Sequence, residues 1–180
     1  MSDAEAVAED GPVGTDPDAD AATSPRTQAA FSAIGEQRFF TDYFEQFDAT
    51  ADEIKLHLNE DGLFGIVVDP ANVGMVRDSL ASDALEHYEA SGGLIGLNIS
   101  RMLDILGMGN SDDLVELTLD TETRKLHIGV DGLSYTLALI DPDSIRKEPE
   151  IPDDLDLPAT MTIAFDDLKR GIKAADMVSD

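Results

Sequence analysis

Few residues of this 180-residue sequence have the types and spacings that catalysis requires. The absence of cysteine excludes disulfides, thiolate zinc sites and cysteine nucleophiles. The histidines are scattered at His57, His87 and His127, and no nucleophile is paired with a base in a recognisable pattern. The segment from Asp16 to Asp20 resembles the start of a calcium loop but lacks the glycine and glutamate that such a loop needs. We therefore expect no enzymatic activity, no metal ion and no cofactor.

The densest cationic group of the sequence is formed by Lys169, Arg170 and Lys173, which are close together on a segment with helical periodicity. The apolar residues of the same segment fall on the opposite side, which we expect to be buried. They are Leu168, Ile172 and Ala175.

The net charge argues against nucleic-acid binding by simple attraction. The chain carries 38 Asp and Glu against 12 Lys and Arg, a formal charge of −26. Seven of the acids and no base lie in the first 25 residues, which leaves −19 on the other 155, so the acidity is spread along the chain. Negative charge spread over the surface keeps protein molecules apart. Its self-repulsion is small in molar salt, because the Debye length there is about 3 Å. We expect a cytoplasmic protein from a salt-accumulating cell; the alternative is an ordinary acidic protein.

Hydrophobic periodicity predicts two helices and nine strands before residue 140. The first helix runs from Arg38 to Phe47 with an aromatic face against the core, and the second runs to Leu106 with Ser100 as its N-cap. The order strand, helix, strands occurs twice, which indicates an internal duplication. The predicted strands are Phe31–Ile34, Ile54–Leu58, Leu63–Val68, Val73–Leu80, Leu85–Ala90, Leu94–Asn98, Val115–Leu119, Leu126–Val130 and Leu133–Leu139.

Composition divides the chain into four parts. Residues 1–30 have no aromatic residue and are predicted to be a disordered acidic leader. Residues 31–139 form a first lobe, and residues 140–158, with four prolines, form an extended connector. Residues 159–180 contain a predicted strand, Thr160 to Ile163, and a predicted helix, Phe165 to Met177. Because a lone strand and helix cannot bury their apolar faces, we interpret them as the start of an incomplete second lobe.

Several segments, in order along the chain, resemble DNA sliding clamps of the proliferating cell nuclear antigen type, in the version found in acidic, salt-adapted archaeal cells. The resemblance covers about residues 31–180. It implies an α+β DNA-clamp fold, with duplicated βαβββ units in the first lobe and an incomplete second lobe. The segments are Asp69–Val76, Gly96–Leu103, Leu117–Leu119, Thr123–Leu126, Asp131–Ser144 and Lys169–Asp176.

The resemblance implies a processivity factor that encircles duplex DNA as a head-to-tail homotrimer. Its partners would be a replicative DNA polymerase, a clamp loader and other proteins with clamp-docking peptides. The DNA-facing residues would be Arg101, Lys169, Arg170 and Lys173. The strand from Leu133 to Leu139, with Tyr135 and Leu137, would form one side of the subunit interface. Its partner strand would follow Asp180, so we expect that this chain alone does not close a trimer.

A groove for partner peptides is also implied by the resemblance. It would lie between the loop that begins at Asp69 and the connector, with apolar side chains as anchors. Its residues would be Asp69, Pro70, Val73, Met75, Ile140, Ile145, Ile151 and Pro152. For Val73 and Met75, the alternative is ordinary packing within a strand.

The sequence also leaves a second function open, a clamp-derived interaction module that binds partner peptides without encircling DNA. The acidic first helix, with Asp42 and Glu45 and with Arg38 as its only base, favours this alternative. The order of the matching segments favours the sliding clamp.

Overall fold

The computed structural model of the protein describes residues 31–149 and 158–178. The predicted leader, and Ile151 and Pro152 of the predicted groove, lie outside these ranges. The chain divides into two compact units, Met1–Arg146 and Lys147–Asp180. No helix within the described ranges is long and apolar enough to cross a membrane.

The described part of the first unit contains nine strands, most of which alternate between buried and exposed residues. They are β1 (Phe31–Glu36), β2 (Glu53–Asn59), β3 (Gly62–Val68), β4 (Met75–Ala81), β5 (His87–Ala90), β6 (Leu94–Asn98), β7 (Leu114–Asp120), β8 (Lys125–Val130) and β9 (Leu133–Ala138). Helix α1 (Gln37–Asp48) follows β1, and helix α2 (Ile99–Leu106) follows β6. Asp131 and Gly132 both have positive φ angles, as the predicted β8–β9 hairpin requires.

The two repeats exchange their first strands. Sheet 1 has the order β5-β1-β7-β8-β9, and sheet 2 has the order β4-β3-β2-β6. Each sheet therefore contains three consecutive strands of one repeat and the leading strand of the other, because β1 pairs with β7 and β6 pairs with β2. All of these pairs are antiparallel. The predicted duplication of βαβββ units is confirmed, with β5 as an added strand.

Helix α1 is held to the core by its aromatic side, as its spacing predicts. Phe40, Tyr43, Phe44 and Phe47 are at most 2% exposed. The Tyr43 ring makes edge-to-face contacts with Phe44 and Phe47, each with centroids 5.2 Å apart. Helix α2 packs against α1, and the two helices share one hydrophobic core with the inward faces of both sheets.

The predicted N-cap of α2 is wrong. The helix begins at Ile99, so Ser100 is already in its first turn. The cap is Asn98, whose Oδ1 accepts a hydrogen bond from the Arg101 amide at 2.9 Å. Ser100 instead donates its hydroxyl hydrogen bond to Asp48 of α1 at 3.1 Å, so it connects the two helices.

The second unit contains helix α3 (Phe165–Asp176), which confirms the predicted helix. The strand predicted from Thr160 to Ile163 is wrong, because no backbone within the described residues pairs with this segment. The burial predicted for one side of α3 is also not observed, since Leu168 is 44% and Ile172 is 62% exposed. Within residues 158–178, no other element packs on the apolar side of this helix.

Candidate functional surfaces

Sheet 2 has an outer face that points away from the main core. Its inward residues, such as Leu56, Leu63 and Val67, belong to that core, and the residues between them point outward. The outer face consists of Glu53, Lys55, His57, Phe64, Ile66, Val68, Met75, Arg77, Ser79, Leu94, Gly96 and Asn98. Ile66 is only 6% exposed although it lies outside the main core cluster, so part of this face is covered.

The first residues of the connector lie on this outer face. The Ile140 amide donates to the Gly96 carbonyl at 2.8 Å and extends the edge of β6. Ile145 is 8% exposed, and its Cδ1 lies 2.6 Å from the position that a Cβ on residue 96 would take. The Ile140 carbonyl oxygen lies equally close to that position, so a glycine is required at residue 96 for the connector to approach the sheet.

Arg146 fixes the other end of this connector segment. Its Nη1 donates to the Asp69 carbonyl oxygen at 2.9 Å, and its Nη2 donates to the Asn72 side-chain oxygen. The segment 140–146 therefore runs from the edge strand β6 to the loop that joins β3 and β4. Its two ends are held by hydrogen bonds, and Ile145 is held by burial.

The β3–β4 loop, Asp69 to Gly74, is organised around the Asp69 carboxylate. This group accepts hydrogen bonds from the amides of Val73 and Gly74, both at 2.7 Å, and of Ala71 at 3.1 Å. These bonds, that of Gly74 foremost, lower the pKa of Asp69, and the nearby Arg146 charge lowers it further. The carboxylate therefore stays ionised, and it holds the loop in one conformation.

The loop and the first residue of β4 expose two apolar side chains next to the connector. Val73 is 87% and Met75 is 48% exposed, so neither packs into the core in the way the strand alternative requires. Pro70 is also exposed on this loop, and Ile140 is partly buried beside Gly96. The structure thus brings the described residues of the predicted groove to one face of sheet 2, with Ile145 as its buried floor.

The sequence reasoning missed Ile66, Phe64 and Arg77 of this face. One signal was available, since the segment Leu63 to Val68 is continuously apolar, and such runs are typical of strands covered on both sides. Arg77 could not have been found in this way. Its place depends on the register that sets it opposite Ile66.

The predicted DNA-facing residues lie in both units. Arg101 is exposed on α2 in the first unit, and its guanidinium forms no ion pair within the described residues. Lys169, Arg170 and Lys173 are exposed together on α3 in the second unit, where Arg170 pairs with Asp167.

Helix α1 has no free cation among its described residues. Its one base, Arg38, pairs with Glu36 at 2.5 Å and lies 3.7 Å from Asp112, while Asp42 and Glu45 are exposed. The surface of α1 is therefore acidic, as its sequence predicts.

Strand β9 is an open edge of sheet 1. It pairs with β8 on one side, and no described strand lies on its other side. Leu137 is 5% exposed and Tyr135 is partly buried, so these two predicted interface side chains face the core. An interface here would be formed by the backbone of β9, whose outward amides and carbonyls are unpaired within the described chain.

Comparisons with known proteins identify relatives of this chain, although no protein-family model matches it. It is 55% identical over 150 residues to the DNA polymerase sliding clamp of Halobacterium salinarum. The matched segment covers 83% of this chain and 60% of that protein. The DNA polymerase sliding clamp of Haloarcula marismortui gives the same identity and coverage. That of Methanocella arvoryzae is 45% identical over 150 residues and covers 83% of this chain and 61% of that protein.

Solved structures give the same result. The structure of A. fulgidus PCNA with the C-terminal region of FEN-1 bound matches with a TM-score of 0.77 at 36% identity, over 83% of this chain and 61% of that chain. PCNA from Thermococcus kodakaraensis matches with a TM-score of 0.72 at 28% identity, with the same coverage. The predicted DNA-clamp fold is confirmed. The chain spans about 60% of the length of the curated relatives it matches.

Proposed function

We propose that this chain belongs to the DNA polymerase sliding clamp family and is a clamp subunit, a processivity factor that encircles duplex DNA and docks replication and repair proteins. The observation that carries this proposal is the 55% identity over 150 residues to sliding clamps of halophilic archaea. The relatives favour a clamp subunit over the interaction module. Because the chain spans about 60% of their length, the ring and its partners are part of the proposal.

Enclosure explains how so acidic a protein can stay on DNA. The chain has a formal charge of −26, and the described surface of α1 is acidic. Binding that depends on phosphate contacts weakens by roughly 0.9 log units per contact for each tenfold rise in salt. A ring holds the duplex without such contacts, so Arg101, Lys169, Arg170 and Lys173 would orient the DNA and would not need to retain it.

The open edge of β9, one of the edge strands of the two described sheets, is the part of the first unit that we propose for ring closure. A second chain could add a strand there through main-chain hydrogen bonds, as exposed sheet edges do in other assemblies. We therefore assign β9, including Tyr135 and Leu137, to a head-to-tail subunit interface in a homotrimer. This proposal replaces the expectation from the sequence that the chain alone does not close a trimer, because the relatives favour a clamp subunit. Tyr135 and Leu137 would stabilise the strand from the core side.

The outer face of sheet 2 is assigned to partner docking. Val73 is exposed there on the β3–β4 loop, which Asp69 and Arg146 hold, and Met75 is exposed at the start of β4. A rigid loop loses little conformational entropy on binding. The structure of A. fulgidus PCNA holds the C-terminal region of FEN-1. We propose that peptides from a replicative polymerase, a clamp loader and repair proteins dock on the outer face, with the clamp itself non-catalytic and cytoplasmic.

Primer extension tests this function. A replicative polymerase from a halophilic archaeon should make longer products per binding event on a singly primed circular template when the full chain and a clamp loader are present. Met75→Asp places a charge among the apolar anchors and should remove at least about tenfold of peptide affinity, and the longer products with it. Leu114→Asp is a matched control, because Leu114 of sheet 1 is 49% exposed and Met75 is 48% exposed. Unchanged product lengths with the wild-type chain would overturn the proposal.

A further inference from the structure

The outer faces of the two sheets differ in charge. The outer face of sheet 1 carries four carboxylates and one lysine, whereas that of sheet 2 carries Lys55 and Arg77 against Glu53. The charged residues of sheet 1 are Glu36, Glu89, Glu116, Asp120 and Lys125. The β3–β4 loop and the connector segment beside this face add Arg146 and the acids Asp69, Asp141 and Asp143, so the surface carries three bases against four acids and is much less acidic in proportion than the chain, which has 38 acids and 12 bases.

Arg77 of the outer face of sheet 2 and Arg146 of the connector segment make no hydrogen bond to a carboxylate within the described residues. The Arg77 guanidinium lies 5.2 Å from the centroid of the Phe64 ring and forms no ion pair within the described residues. Arg146 donates to two neutral oxygens, those of the Asp69 backbone and the Asn72 amide. Elsewhere, the described arginines that pair with carboxylates are Arg38, Arg124 and Arg170.

Both guanidinium groups therefore have N–H donors left that can bind an anion. A guanidinium has five N–H donors, and Arg146 uses two of them. The Arg146 charge lowers the pKa of Asp69. The Asp69 carboxylate oxygens, however, already accept hydrogen bonds from the amides of Ala71, Val73 and Gly74. Arg77 lies two residues from Met75 on the same side of β4, a spacing of roughly 7 Å. The free cationic groups thus border the exposed apolar side chains.

We propose that the partner segment docking on this face is acidic, with apolar anchors flanked by Asp or Glu, and that Arg77 and Arg146 determine this specificity. The inference rests on the proposed docking function and names the class of peptide that it takes. In molar salt only ions in contact still attract, because the Debye length is about 3 Å. Charge-assisted bonds from arginine to carboxylate meet that condition.

Three labelled peptides test the inference on the full chain in fluorescence anisotropy. The first is the C-terminal peptide of FEN-1, and the other two keep its apolar anchors while the flanking positions are all Glu or all Lys. The Glu-flanked peptide should bind about fivefold to tenfold more tightly than the Lys-flanked peptide, as expected for a few exposed ion pairs. Arg77→Gln should reduce this preference at least twofold, and Lys125→Gln on sheet 1 should leave it unchanged.

The outcomes separate the two proposals. Equal binding of the Glu-flanked and Lys-flanked peptides, or tighter binding of the latter, overturns the acidic specificity and leaves the docking site intact. A preference that Arg77→Gln and Lys125→Gln reduce equally reflects general charge and overturns the role of Arg77. No binding by any of the three peptides overturns the docking function and this inference together.

Discussion

At the residue scale, two tyrosine hydroxyls differ in whether they form a hydrogen bond. The Tyr43 hydroxyl is buried and has no hydrogen-bond partner within the described residues. Burial, and to a lesser degree the charge of Asp78, raises the pKa of Tyr43. The Tyr88 hydroxyl donates to the Asn59 carbonyl at 2.7 Å, and partial burial raises the pKa of Tyr88 to about 12.

These contacts predict that substitution with phenylalanine changes the free energy of unfolding differently at the two positions. Tyr43→Phe should leave the free energy of unfolding unchanged or raise it by up to about 1 kcal/mol, because an unsatisfied buried hydroxyl is removed. Tyr88→Phe should lower it by about 1 kcal/mol through the lost hydrogen bond. Urea unfolding of both variants in the same molar KCl measures the difference. A loss with Tyr43→Phe as large as that with Tyr88→Phe would show that the Tyr43 hydroxyl is bonded.

At the scale of elements, the contact between β6 and the connector depends on Gly96. In Gly96→Ala, the new Cβ would lie 2.6 Å from the Ile140 oxygen and from Ile145, so the connector must lift from the sheet. We expect affinity for the docking peptide to fall by about tenfold and proteolysis within residues 140–146 to become faster. The control is Gly129→Ala on the outer face of sheet 1, where the nearest atom would be an unstrained 3.6 Å away. Unchanged affinity and proteolysis in Gly96→Ala would contradict the described contact.

The elements were largely predictable from the sequence because their signals are local. Alternation located the strands, and the aromatic spacing from Phe40 to Phe47 located α1. The cap of α2 was missed because Asn98 and Ser100 are both good N-cap residues, and only the backbone shows that the helix begins at Ile99. The strand predicted from Thr160 to Ile163 is not formed, because a strand requires a pairing partner that its own residues cannot specify.

The candidate surfaces were less predictable because they depend on pairing between distant segments. The resemblance led to Val73 and Met75, whose exposure agrees with a docking role. Arg77 and Arg146 could not be assigned from the sequence, because one is placed by the β3–β4 register and the other by bonds across 77 and 74 residues. The role of Asp69 in ordering its loop likewise appears only once its three amide donors are seen.

At the scale of the whole molecule, the proposed clamp function raises the question of how so acidic a protein would stay on DNA. The densest group of described cations, on α3, has three members, and Arg170 among them is paired with Asp167. Three phosphate contacts would weaken by roughly 500-fold for a tenfold rise in salt. Ionic attraction is therefore a poor way to hold DNA in molar KCl, whereas enclosure does not depend on salt in this way.

Cutting the DNA separates enclosure from ionic binding most directly. The full chain, loaded by a clamp loader onto a closed circular duplex with one restriction site, is kept in molar KCl, and bound protein is measured before and after cleavage. We predict retention on the circle and release after the cut, with little dependence of retention on salt. Equal retention on the circle and on the cut duplex, or release from the closed circle by salt alone, would contradict the account.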